Sequence, residues 1–200
     1  KVQDYANEAY KTTGMSANAY METATSFSAS LLQSLGGDTN KAADYANRAM
    51  IDMSDNANKM GTSIGMIQNA YQGFAKQNYT MLDNLKLGYG GTKEEMTRLI
   101  SDASKMTDIQ KELNVTVDEG DMSFANIVNA ISVMQSSLDI AGTTSKEAAT
   151  TIEGSANMMK ASWSNLLVGI ADDTQDFDTL VNNFVDSATT FASNILPRIQ

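Results

Sequence analysis

The 200-residue chain contains no cysteine and no histidine. Without cysteine there is no disulfide, no thiolate metal site and no thiol nucleophile, and without histidine the commonest general base and zinc ligand are missing. Most familiar active-site chemistries are excluded. Proline occurs once, at Pro197, against about 5% in average proteins, so little interrupts a helix, and abundant Ala, Met, Gln and Lys favour helix further. No apolar run approaches the roughly 18–20 residues of a membrane-spanning helix. The most apolar window, Trp163 to Ala171, is half that length and includes Ser164 and Asn165. Positive charge is also scarce: 14 Lys and Arg stand against 24 Asp and Glu, a formal net charge of −10. The basic residues are scattered singly, which disfavours specific nucleic-acid binding.

What is present is 42% hydrophobic and 19% charged, enough for one compact domain or two small ones. The chain begins with Lys1 instead of Met, has no basic-then-apolar leader, and stops at Gln200 within a helical pattern. It reads as an excised piece of a longer protein.

Helical spacing recurs throughout. Tyr5, Ala6, Ala9 and Tyr10 open a pattern that resumes after Gly14 with Tyr20, Ala24, Phe27 and Leu31. Gly36-Gly37 breaks it and Asp38 or Thr39 restarts it, over a face of Ala42, Ala46, Ala49, Met50 and Met53. A short helix then carries Ile64, Ile67, Tyr71 and Phe74. Leu87 to Gly91 is a loop, since its glycines lose too much backbone entropy in a helix. Thr92 and Glu95 form a capping box before Met96, Leu99, Ile100 and Ala103. Asn114 to Met122 is the least helical part, a connector.

Three further helices close the chain. Ser123 caps one with Phe124, Ile127, Val128, Ile131, Met134 and Leu138 near a coiled-coil seam. After Gly142, a capping box at Thr144 and Glu147 predicts one long helix with Ala148, Ile152, Ala156, Met159, Trp163, Leu166, Leu167 and Ile170 inward. The turn Asp172-Asp173-Thr174 leads into a last helix with Phe177, Leu180, Val181, Phe184, Val185, Ala188, Phe191 and Ile195 on one face. The expected fold is all-α: successive antiparallel helical hairpins, bundle-like and elongated, divided into residues 1–91 and 92–200. The seams could close within one chain or between chains, and the short turns favour the former. A faint echo at an offset of 40 residues relates Asp4-Tyr5-Ala6-Asn7 to Asp44-Tyr45-Ala46-Asn47.

Candidate chemistry is thin. Gly88-Tyr89-Gly90-Gly91-Thr92-Lys93 precedes a helix, but its order is wrong for a phosphate loop and Glu94-Glu95 would repel an anion. A flexible hinge with a helix cap is the preferred reading. The acidic clusters Asp118/Glu119/Asp121 and Asp172/Asp173/Asp176/Asp178 lack the alternation of a calcium loop. Gly61 to Gly65 has GxxxG spacing in polar surroundings and reads as a turn. Trp163 reads as a core anchor or an interhelix contact, packed on the Phe177 to Phe191 face. No catalytic, cofactor-binding or metal residue is assigned, no cofactor is expected, and the chain is not expected to be an enzyme.

Three stretches together carry a resemblance: IQNAYQGFAKQNYTMLDNLKLGYGGT at 67–92, GTTSKEA at 142–148 and MMKASWSNLLVGIA at 158–171. Their order and content resemble the tail tape measure protein of long-tailed, siphovirus-type bacteriophages and prophages. With Lys41 to Met60 the resemblance covers about two-thirds of the chain; the Asn114 to Met122 connector departs from the family pattern. The resemblance implies a virion structural protein that sets tail length during tail assembly in the host bacterial cytoplasm. It also implies residence in the virion tail and a part in DNA ejection. Implied partners are tail tube protein, tail assembly chaperones and distal tail-tip proteins, with self-association of the full-length protein. The rival reading is a membrane-active helical effector that inserts amphipathic helices.

Overall fold

The computed structural model describes residues 1–172 and 175–199, and among them there are α-helices and short 3-10 helices but no strand. The all-α expectation holds. The helices are α1 (Val2–Thr12), α2 (Ala17–Ser34), α3 (Thr39–Met60), α4 (Ile64–Ala75), α5 (Lys93–Lys105), α6 (Thr107–Glu112), α7 (Phe124–Ser137), α8 (Thr143–Thr150), α9 (Ile152–Ala171) and α10 (Phe177–Ile195). Most boundaries follow local chemistry. Asp38, Ser63, Thr92, Ser123 and Asp176 each accept a backbone N–H from the first turn of the helix that follows. Gly61 ends α3 in the left-handed conformation, φ 70°, where a side chain would be strained.

The chain divides into two compact units: residues 1–22 with 142–200, and residues 23–141. The expected boundary at 91/92 falls inside the second unit, because α5 on one side of it and α3 and α4 on the other all pack against α7. In this unit α7 is central. Twelve consecutive residues, Phe124 to Gln135, are buried, so the expected one-sided seam is instead a helix enclosed on all sides. Ile127, Val128, Ala130, Ile131 and Val133 have no exposed surface, and the Phe124 ring meets Phe27 edge-on at 5.8 Å.

The first unit joins α1, α8, α9 and α10. The long helix expected from Thr144 is two helices. Thr151 is extended, with ψ 156°, and its hydroxyl accepts from Gly154 N at 3.0 Å, so it caps a new helix. Gly154 allows the fold-back, since a Cβ there would collide with the carbonyl of Glu147. The Thr144/Glu147 capping box does not form, as α8 already starts at Thr143, with Gly142 at the cap position and no side-chain cap. A Cβ on Gly169 would run into the Leu180 side chain, which marks how closely α9 and α10 approach.

Here the sequence-derived inner face is displaced. The buried residues of α9 are Ser155, Met158, Ala161, Ser162, Asn165, Leu166 and Gly169. In α10 only Leu180 and Ser187 are buried. Trp163 makes the expected interhelix contact, resting on the Phe184 ring at 5.0 Å, but at 45% exposed it is not a core anchor. Small residues along the contact draw the helix axes together, and Trp163, Leu167, Ile170, Phe177 and Val185 are left at the margin.

Candidate functional site

Each segment that could have carried chemistry is occupied by its own structure. Around the glycine loop, Thr92 accepts the Glu95 N–H, but the Glu95 carboxylate accepts from Gly90 N at 3.0 Å instead of returning to the cap residue. Glu95 also binds Arg98 at 2.6 Å, and Arg98 with Gly90 holds its carboxyl down to about 2. The Arg98 guanidinium lies 4.2 Å from the centre of the Tyr89 ring, and the Tyr89 hydroxyl donates to Asp102 at 2.7 Å. A Cβ on Gly91 would strike the Thr80 carbonyl. The expected flexible hinge is a latch. The Gly90 amide is taken up by the Glu95 carboxylate, which sits where a phosphate would have to bind.

The connector at 114–122 is organised by α6 and α7. Asn126 donates to the carbonyls of Asp118 and Asp121 at 2.7 and 2.6 Å and accepts from Asp118 N at 2.9 Å. Gln110 accepts from Val117 N at 2.9 Å. The three carboxylates are used within the segment: Asp118 accepts from Gly120 N, Glu119 from the Ser101 hydroxyl, and Asp121 from the N–H and hydroxyl of Ser123. In the second acidic cluster Asp176 caps α10 through Thr179, which lowers its pKa, while Asp172 ends α9. Asp173 lies outside the described residues. Among the described residues no group of three acidic side chains could hold a metal ion. The turn expected at Gly61 to Gly65 lies between α3 and α4 at Gly61 to Ser63, and Gly65 falls in the first turn of α4.

A polar concentration that sequence reasoning missed lies inside the second unit. Asp52, Asp55 and Asn56 of α3 are buried, and Asp52 and Asn56 face Ser132 and Gln135 of α7. The Ser132 hydroxyl donates to Asp52. Asn56 donates to the Gln135 side-chain carbonyl at 2.8 Å and to Leu85 O at 2.9 Å, while Gln135 donates to Asp52 O at 3.0 Å. Further along, Asn129 accepts from Arg48 at 2.6 Å and donates to the Tyr45 hydroxyl at 3.1 Å. Burial raises Asp52 to about 7; Asp55 pushes the same way, and the Ser132 hydrogen bond and Arg48 oppose it. The buried Tyr71 hydroxyl has no protein partner, and its pKa is raised by burial and by Asp52. A signal was available: Asn126, Asn129, Ser132 and Gln135 recur every third residue along an otherwise apolar helix. Asp52, Asn56, Ser132 and Gln135 are buried and linked to one another. They tie α7 to α3 and offer no entry to a substrate.

In the first unit a cleft of about 240 Å³ is lined by Tyr10, Lys11, Ala148, Met158, Asp186 and Ser187. Its polar groups do not converge on a ligand. Ser187 donates to Asn183 O, Thr190 to Asp186 O, and Lys11 pairs with Glu8 at 3.6 Å. No helix among the described residues is long and apolar enough to cross a membrane. No protein-family model, curated protein or solved structure matches the chain.

Proposed function

We propose that the chain is a structural segment of a phage tail tape measure protein, acting through shape and assembly and not through catalysis. The observation that carries this reading is the stretch 67–92, whose order of residues resembles that family over a long uninterrupted run. Physical chemistry supports it in two ways. A helix converts residue number into length at about 1.5 Å per residue, and a net charge of −10 lets DNA slide past without being retained. In this reading the full-length protein lies in the virion tail, contacts tail tube, chaperone and tail-tip proteins, and leaves as DNA is ejected. The present segment forms folded helical units within it.

The test is to purify particles from a strain carrying the reading frame and look for peptides of residues 67–92 by mass spectrometry. Immunogold labelling then locates them, and tail lengths are measured after an in-frame deletion. Peptides in the tail fraction, with tails lost or altered in length by the deletion, are expected. Normal tails lacking these peptides would sink the reading. Release of dye from liposomes by the isolated chain, at acidic or neutral pH, would favour the membrane-active alternative.

A further inference from the structure

The helices α9 and α10 carry an apolar face that nothing in the first unit covers. Along α9 the buried line is Ser155, Ser162 and Gly169, and the residues one step further round include Trp163 and Ile170, which are 45% and 63% exposed. Leu167 continues that stripe at 48% exposed. On α10 the buried line is Leu180 and Ser187, with Phe184 and the exposed Phe177 and Val185 beside it. Both stripes are rotated about a quarter-turn in the same sense from the buried line, at about 100° per residue. In an antiparallel pair, equal rotations place both stripes on one side. The Trp163–Phe184 ring contact at 5.0 Å lies in the middle of that face.

We infer that this face is the docking surface for a second copy of the chain, with two α9–α10 hairpins closing into a four-helix bundle. Three observations choose this occupant. The first is area: Trp163, Leu167, Ile170, Phe177 and Val185 together expose on the order of 500 Å². Half-buried neighbours bring the face towards the roughly 800 Å² per partner of a stable interface. The second is self-complementarity. A two-fold interface must match itself, and an uncharged apolar face does so without bringing like charges together. The third is the sign of the rim. The two helices carry one basic residue, Lys160, against Glu153, Asp178 and Asp186. A helix lying on an anionic bilayer is instead rich in Lys and Arg on its polar face.

The inference is independent of the tail assignment and is tested on the 200-residue chain. Sedimentation equilibrium from low micromolar to several hundred micromolar should show a monomer–dimer equilibrium. Trp163 emission should shift to shorter wavelength, and its quenching by acrylamide should weaken, as the dimer forms. Leu167→Glu should raise the dissociation constant at least about a hundredfold, with the far-UV circular dichroism unchanged, and Val185→Glu on the other helix should do the same. Met66→Glu, an exposed site in the second unit, should leave association unaltered. A monomer at every concentration would overturn the inference, as would a trimer or hexamer, or a dimer indifferent to both face variants. So would a Trp163 shift seen only on adding phosphatidylcholine–phosphatidylglycerol vesicles.

Discussion

Helices α7 and α9 look alike as sequence, each mostly apolar with small polar residues interspersed, yet they end in opposite surroundings. Within its unit α7 has α3, α4, α5 and α6 packed about it, and Phe124 to Gln135 are all buried. In the other unit α9 meets α1, α8 and α10 through a line of Ser, Ala and Gly with Met158 and Leu166, and leaves Trp163, Leu167 and Ile170 outside. The number and closeness of partners, more than hydrophobicity, decided which stripe went inside. In either setting a covered polar side chain must be satisfied internally: along α9, Ser155 donates to Thr151 O, Ser162 donates to Met159 O, and Asn165 accepts from Ala17 N. Asn126, Asn129, Ser132 and Gln135 accordingly all have protein partners.

The comparison breaks most readily at Ile131, which has no exposed surface. Ile131→Ala should lower unfolding stability by about 2–5 kcal/mol, measured by denaturant titration. A loss under about 1 kcal/mol would mean that α7 is not enclosed.

The polar link between α3 and α7 comes next. Ser132→Ala removes the donor to Asp52 and should destabilise by about 1–3 kcal/mol. Because Asp52 is raised from 3.8 to about 7, the folded state holds a proton that the unfolded state releases between those values. Its contribution is full below about pH 4 and is lost as pH rises through about 7. Asp52→Asn should abolish that decline, so the stability difference between variant and wild type should grow in the variant's favour from about pH 4 to pH 8. A pH-independent difference would show that Asp52 is solvated. Glu95 works in the opposite sense, since its lowered value favours folding above its ordinary range and loses that contribution as pH falls towards 2.

In the first unit, Gly154→Ala places a methyl group against the Glu147 carbonyl and should destabilise the α8–α9 turn by about 1–3 kcal/mol. Hydrogen exchange confined to residues 142–160 would report it, and unchanged protection there would refute the close approach. The smallest effect belongs to Ile170→Ala. At concentrations where the chain is monomeric it should change stability by less than about 0.5 kcal/mol, in contrast to Ile131→Ala. Equal losses at the two isoleucines would erase the distinction between the helices.

The candidate chemistry was legible mainly where it depended on near neighbours. The non-phosphate reading of residues 88–93 followed from Thr before Lys and from Glu94-Glu95. That Glu95 reaches back to Gly90, or that Arg98 covers Tyr89, required the loop's path in space. The polar cluster at Asp52 was invisible for a similar reason: Asp52 and Ser132 are eighty residues apart in sequence. Nothing in their local patterns says that they share a hydrogen bond.

The sequence by itself determined the all-α class and most helix ends, because scarce proline, left-handed glycines such as Gly61 and caps such as Asp38 and Ser123 act over four or five residues. The tertiary structure alone decided the remaining features: the break at Thr151, the enclosure of α7, the outward turn of Trp163 and the division of the chain away from 91/92. A periodic stripe shows that a helix has an apolar side. Which side is covered depends on how closely another helix can approach, and that is set by residues distant in the chain.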